Sequence, residues 1–410
     1  MQASLERPKL RPLENQWTEQ DGKPMLILRD RLGLTDRVAI LPPALALLLS
    51  LCDGTRDLAA LRTAFMLRTG LTLTPTQMSE IIAQFDSALL LDSPRLARAQ
   101  AEALAAYRAA PMRAPALADR TYPAEPEACH RALRDYASAA SPGPWPTSGE
   151  IRGLVSPHID YQRGGPVYSQ VWSLAAEAVA RAEVVVVFGT DHAGGPGQLT
   201  LTRQSYATPF GVLPTALDVV DAVADALGEE AAYAEELHHR NEHSIELAAV
   251  WLHHLLDGNG GSCQMVPILC GSFQAYVEGT ADPADDPRLE AALAALRRSL
   301  SGRRTLVVAA ADLAHVGPAF GDSHPFGAPQ REQLAQVDDR LLETICAGDA
   351  AALLACVREE RDRWRVCGLP PIYMALRLLD GARGDVVSYA QCPADHTDGS
   401  WVSVAGVVFR

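Results

Sequence analysis

The chain has 410 residues, more than the about 100–200 that one ordinary domain holds, and its 48% hydrophobic and 21% charged composition excludes bulk disorder. The formal net charge of −14 is carried by the larger part, since residues 1–98 hold 12 basic and 11 acidic groups and leave 24 and 39 beyond. Such a surface repels phosphate backbones and excludes nucleic acid as an expected partner, and no apolar run reaches the ~18 residues that span a bilayer. The longest run, residues 39–51, is broken by Pro42-Pro43. Residues 1–12 lack the apolar stretch of a signal peptide, so a cytoplasmic protein is expected. The eight cysteines contain no C-x-x-C pair, which reads as free thiols in a reducing compartment. Lys9 and Lys23 are the only lysines, which rules out a Schiff-base or P-loop lysine in the rest of the chain.

In chain order, residues 24–30 and 38–41 read as strands and 43–52 as a short apolar helix. Asp53-Gly54-Thr55 turns the chain into 57–69, where Leu58, Leu61, Phe65 and Leu67 fall near helical spacing. Residues 74–87 make a third helix and 88–92 a closing strand. This order suggests a small winged-helix-like domain within residues 1–98. Its near-neutral charge argues against DNA. The segment 52–61, CDGTRDLAAL, resembles the hallmark turn of PqqD-like peptide-recognition domains. That resemblance implies capture of a leader peptide on an exposed strand edge by β-augmentation. A packing or dimerisation module without a ligand is the competing reading.

Residues 99–149 read as a connecting segment, with a helix over 95–110 and a proline-rich tract over 111–146. From residue 150 to 410 strands alternate with helices. Strands are expected at 151–155, 184–189, 264–270, 306–310, 385–390 and 401–409. Helices are expected at 166–181, 215–227, 242–256, 288–300, 330–346 and 371–379, with Asn241 capping the third. The pattern is that of one α/β domain with a largely parallel or mixed sheet.

Four short segments hold the metal-capable side chains: Ser156-Pro157-His158, Thr190-Asp191-His192, Asn241-Glu242-His243 and Asp312-Leu313-Ala314-His315. Three of them follow expected strands, and in an open α/β sheet the strand carboxyl ends line the ligand crevice. His158 and His192 occupy the same strand-end position, and such an imidazole pair is the nucleus of many metal sites. Asp312 and His315 read either as a positioning and acid–base pair or as a helix cap with a packed histidine. His243 either points into the crevice or packs beneath its helix. Cys367 precedes Gly368-Leu369-Pro370-Pro371, an expected helix start whose dipole would favour the thiolate. The run His238-His239-Arg240-Asn241-Glu242-His243 lacks H-E-x-x-H spacing and speaks against a zincin.

Taken in order, SPHIDY, GTDHAG, NEHSIE, ADLAHVG and CGLPPI resemble the Memo-like family, also called AmmeMemoRadiSam system protein B. The resemblance spans residues 150–410. It implies a class III extradiol dioxygenase-like fold and a metal on His158, His192 and Cys367. His243, Asp312 and His315 would then line the pocket as the catalytic residues. Fe(II) is the implied ion, with copper or zinc as alternatives, because a thiolate in place of a carboxylate is a soft ligand. The family also implies radical-SAM and AMMECR-like partners. The expected activity is metal-dependent redox chemistry, against a carrier, a sensor or a scaffold role.

Overall fold

The structure, a computed structural model, describes residues 5–35, 38–139, 149–257 and 263–410. The end of the expected proline-rich tract, residues 140–146, lies outside them. The chain divides into two compact units, 1–110 and 111–410. The division falls after the helix expected over 95–110, which therefore belongs to the first unit and not to a connector.

The first unit opens with an antiparallel meander, β1 (Glu14–Gln20), β2 (Lys23–Arg29) and β3 (Ala39–Leu41), in that spatial order. Four helices follow: α1 (Pro43–Ser50), α2 (Leu58–Thr69), α3 (Pro75–Ser87) and α4 (Pro94–Ala109). Asp57 caps α2, and Thr74 with Gln77 forms a capping box on α3. Leu48, Leu49, Leu61, Phe65, Met78, Ile82 and Leu91 are buried together. The closing strand expected over 88–92 does not form. Leu89 takes the left-handed conformation (φ 57°), which breaks an extended run, and Leu91 makes only an isolated bridge to Leu10. Strand β1 went unforeseen because its residues are mostly polar and exposed on both faces.

The second unit begins with α5 (Pro126–Ala139), β4 (Gly153–Ser156), α6 (Tyr161–Arg181) and β5 (Val184–Thr190). Short strands β6 (Leu199–Leu201), β7 (Tyr206–Thr208) and β8 (Gly211–Leu213) precede helices α7 (Leu217–Leu227), α8 (Glu229–Ala232) and α9 (Ser244–Asp257). Then come β9 (Gln264–Cys270), α10 (Gln274–Val277), α11 (Pro287–Leu300), β10 (Thr305–Ala310) and β11 (His315–Val316). The chain ends with α12 (Ala328–Cys346), α13 (Ala350–Glu359), α14 (Leu369–Leu379), β12 (Gly384–Pro393) and β13 (Trp401–Phe409).

The main sheet runs β11-β13-β4-β10-β5-β9-β6, with β12 paired to β13. Its centre, β4-β10-β5-β9, is parallel, and β13 and β6 flank it antiparallel. Val184, Val186 and Phe188 enter the core shared with α7, α11 and α14, while Val185 and Val187 enter the one shared with α6 and α9. Burial on both faces explains why these strands read as continuous apolar runs. Helix α6 starts five residues before the expected start because Asp160 caps it. Helices α5 and α13 are additional to the expected set.

A buried ion pair fixes the segment before α5 to the start of α9. Arg113 and Glu246 have no exposed side-chain surface and pair directly. Arg113 also donates to the His239 and Glu242 carbonyls (2.8 and 2.9 Å). Glu246 accepts from the amides of Ala116 (3.0 Å) and Leu117 (2.8 Å) and from the Tyr122 hydroxyl. Removing one partner of such a pair strands the other charge. Arg113→Ala is therefore expected to cost about 3–5 kcal/mol, read as a lower urea midpoint. A loss below about 1 kcal/mol, as at an exposed pair, would show that Glu246 does not depend on it.

Candidate metal centre

The carboxyl ends of β4, β5 and β10 bring the expected residues to one edge of the sheet. His158 follows β4 and is buried; its Nδ1 donates to the Ala310 carbonyl (3.0 Å). A carbonyl can only accept, so the proton sits on Nδ1 and the Nε2 lone pair faces the crevice. His192 follows β5, and its Nδ1 donates to Glu242 Oε2 (3.0 Å), which sets the same tautomer. Rings of His158 and His192 meet edge to face at 5.0 Å, and His243 stacks on His192 at 4.9 Å. Ligand atoms of His158, His192 and His243 all lie within 4.8 Å of one another.

Cys367 arrives from the other side of the crevice, with its Sγ 3.2 Å from His158 Nε2. Two bonds fix that loop: Thr190 Oγ1 donates to the Cys367 carbonyl (3.1 Å), and the Gly368 amide donates to the Asp312 carbonyl (3.1 Å). A Cβ on Gly368 would lie 2.2 Å from that carbonyl oxygen, so only glycine lets the thiol approach this closely.

Asp312 is buried and bound to the backbone of the His158 loop. Its Oδ1 accepts from the amides of His158 (2.7 Å) and Ile159 (3.2 Å), and its Oδ2 lies 3.6 Å from His158 Nε2. The helix-cap reading of Asp312 is thereby excluded: no helix starts there, and His315 enters β11. His315 Nδ1 faces the Arg365 carbonyl (3.3 Å) and its ring packs on Phe320. Asp312 thus positions the His158 loop.

Burial pushes His158 down to about 4, against the Asp312 carboxylate, so it is neutral and ligand-competent near pH 7. Burial also lowers His315. His243 goes the other way: desolvation disfavours its charge, but the Glu242 carboxylate 3.1 Å away raises it overall. The expected readiness of Cys367 to ionise is opposed by its surroundings. Burial first, then the Asp312 carboxylate, push the thiol well above its ordinary value and outweigh the start of α14. A bound cation would supply the missing positive charge and release that proton. Donors of this kind, imidazole nitrogen and thiol sulfur, suit iron, copper or zinc and not magnesium or calcium.

Glu242 is the residue that sequence reasoning passed over. Its Oε2 accepts from His192 Nδ1 and the His192 amide (3.2 Å), and its Oε1 from the amides of His243 (2.8 Å) and Ser244 (3.0 Å). It therefore serves the start of α9, the role expected of Asn241, which instead ends the 3₁₀ turn Glu236–Arg240. The available signal was its place between two imidazole-bearing loops. Beside the centre opens a cavity of about 200 Å3 lined by His192, Cys367, Asp191, Phe273, Val366 and Pro370 among others.

Glu242 carries a testable consequence. His243 is raised in the fold, so its contribution to stability is full below its unfolded pKa near 6.5 and is lost as pH rises through the folded value. Glu242, held well below its ordinary value by both imidazoles despite burial, contributes above its own unfolded pKa and loses this as pH falls. Glu242→Gln is expected to lower the His243 pKa in an NMR titration and to flatten the stability profile above about pH 6.5 and below about pH 4.5, the two windows in which these groups change protonation on unfolding. An unchanged His243 titration would remove Glu242 as its partner.

The family profile described as Memo-like protein matches residues 113–408. A MEMO1 family protein of Aquifex aeolicus is 25% identical over 93% of this chain and 95% of its own length. Another, from Methanopyrus kandleri, is 27% identical over 73% of this chain and 99% of its own length. A third, from Thermus thermophilus, is 28% identical over 78% of this chain and 90% of its own. The matched span holds the whole mixed sheet and all six expected site residues, and on that match the chain belongs to the Memo-like family.

Proposed function

We propose that the second unit is a non-haem-iron, dioxygenase-like redox centre in which His158, His192 and Cys367 hold the ion. The observation that carries this reading is the convergence of two imidazoles and one thiol at the sheet's carboxyl edge, with Cys367 Sγ 3.2 Å from His158 Nε2 beside an open cavity. When bound, Fe(II) would supply one-electron and O2 chemistry, with copper or zinc able to take the same donors. The chain itself supplies orientation and protons. Asp312 holds the His158 loop, and Glu242 holds His192. His243, whose proton the Glu242 carboxylate favours, would donate one, while His315, whose charged form burial disfavours, would accept one. Environments that push two such groups apart mark an acid and a base.

A carrier or sensor of iron or copper is the second reading. It is favoured by the position of His243, whose ligand atom lies close enough to those of His158 and His192 to close the shell as a further donor. Its pairing with Glu242 weighs against this, because an ion would have to displace the proton that the carboxylate favours there.

For the first unit we propose the PqqD-like, winged-helix-like role of peptide capture. Strand β3 lies at the sheet edge with Ile40 half exposed, and β1 exposes Trp17, the kind of edge that takes an added strand. The radical-SAM and AMMECR-like partners rest on the family resemblance alone.

Protein prepared anaerobically with Fe(II) is expected to lose one iron per chain when His158 and His192 are both replaced by alanine. Unchanged iron in that variant would falsify the centre. His315→Ala is expected to keep its iron; a loss would make His315 a ligand and not a proton acceptor.

A further inference from the structure

One residue before His192, the same sheet edge carries a second group of donors: Asp191, Glu235 and His238, whose ligand atoms also lie within 4.8 Å of one another. Asp191 is buried at the end of β5, while Glu235 and His238 come from the turn after α8. His238 Nδ1 sits 2.8 and 3.0 Å from the two Asp191 oxygens and 4.0 Å from Glu235 Oε2.

Three features distinguish this group from an ordinary ion pair. A structural pair needs one carboxylate, and here two face a single imidazole, leaving a net negative charge in a mostly buried place. Both carboxylates are pre-oriented by backbone amides: Ala193 donates to Asp191 Oδ1 (3.0 Å), and Gly195 donates to both Glu235 oxygens (3.2 and 3.1 Å). The loop that supplies those amides is built around the group. A Cβ on Gly194 would lie 2.7 Å from the Asp191 carboxyl carbon, and one on Gly195 3.2 Å from Glu235 Oε1. Asp191 also lines the cavity described above, which gives an ion a way in. Burial and the neighbouring Asp191 charge raise Glu235, the response of a carboxylate short of positive charge.

We propose that Asp191, Glu235 and His238 form a second cation site, for a divalent transition ion, beside the His158–His192–Cys367 centre. Two carboxylates and one imidazole suit Fe(II), Mn(II), Co(II) or Zn(II), and the absence of sulfur makes the site harder than its neighbour. Because Asp191 and His192 are consecutive, filling one site restrains the loop that carries a donor of the other.

Co(II) titration of the full-length, metal-stripped protein separates the two sites, because only the Cys367 centre offers a thiolate and so a near-ultraviolet sulfur-to-cobalt band. Wild type is expected to bind two Co(II) per chain, one with that band and one without. Glu235→Gln keeps an acceptor for Gly195 and is expected to lose the band-free ion, with at least tenfold weaker binding, while keeping the band; His238→Gln should do the same. Cys367→Ser is expected to lose the band and keep the other ion. A single Co(II) in wild type, or two retained in both Glu235→Gln and His238→Gln, overturns the second site. Two ions without any sulfur band, one of them lost in Glu235→Gln, supports the second site and counts against the thiolate centre alone.

Discussion

The carboxylate of Glu242 is the contact on which the crevice depends. It is nearly buried and binds two main-chain amides at the start of α9, the His192 amide at the end of β5, and the rings of both His192 and His243. Each hydrogen bond to a charged group contributes on the order of 1.5–3 kcal/mol net, so this one side chain joins a helix, a strand end and two imidazoles more firmly than any pairwise packing contact there. Arg113 and Glu246 brace the same region from behind, since Arg113 also binds the Glu242 carbonyl. The geometry at the sheet edge is thus set by charge–amide bonds inside the protein and not by surface loops.

Electrostatics at that edge divide the imidazoles by role. His158 lies under the sheet edge where burial dominates, and it is neutral. His243 lies a few ångströms away, but a carboxylate outweighs the cost of its charge. The thiol of Cys367 is held above its ordinary value by burial and by the nearby Asp312 and Glu242 carboxylates. Asp191 and Glu235, two carboxylates facing the single imidazole of His238, extend the negative potential along the edge. A crevice lined this way concentrates cations, in keeping with the acidic balance of the larger part of the chain.

The two units have different standing among the relatives. The Methanopyrus kandleri protein is matched over 99% of its length by 73% of this chain, whereas the Aquifex aeolicus protein matches 93% of it. The profile match begins at residue 113, three residues after the first unit ends. The metal-capable sheet edge therefore lies in the part that the profile matches, and the two core clusters around it fall within residues 111–410.

Much of this was legible in the residues themselves. Strands β5, β9 and β10 are buried on both faces, so their apolar runs announced themselves, and His158, His192 and Asp312 could be placed at strand ends from the order of residues alone. The sequence also located α2, α3 and α11, and the structure caps them with Asp57, Thr74 and Asp286. Strand β1 was hidden by exposure on both faces, and the strand expected over 88–92 was undone by the left-handed turn at Leu89. What only tertiary structure decided was which partner each polar group meets. Asp312 turned to the His158 amide 154 residues away and not to His315, and Glu242 turned to His192 across 50 residues. Cys367 sits at a helix start, as its sequence indicates, yet its ionisation is governed by burial and by Asp312. Periodicity is a local property that a sequence carries in full. Hydrogen-bond partners and proton affinities depend on which distant carboxylates share the same dry space, and that is settled only when the sheet closes.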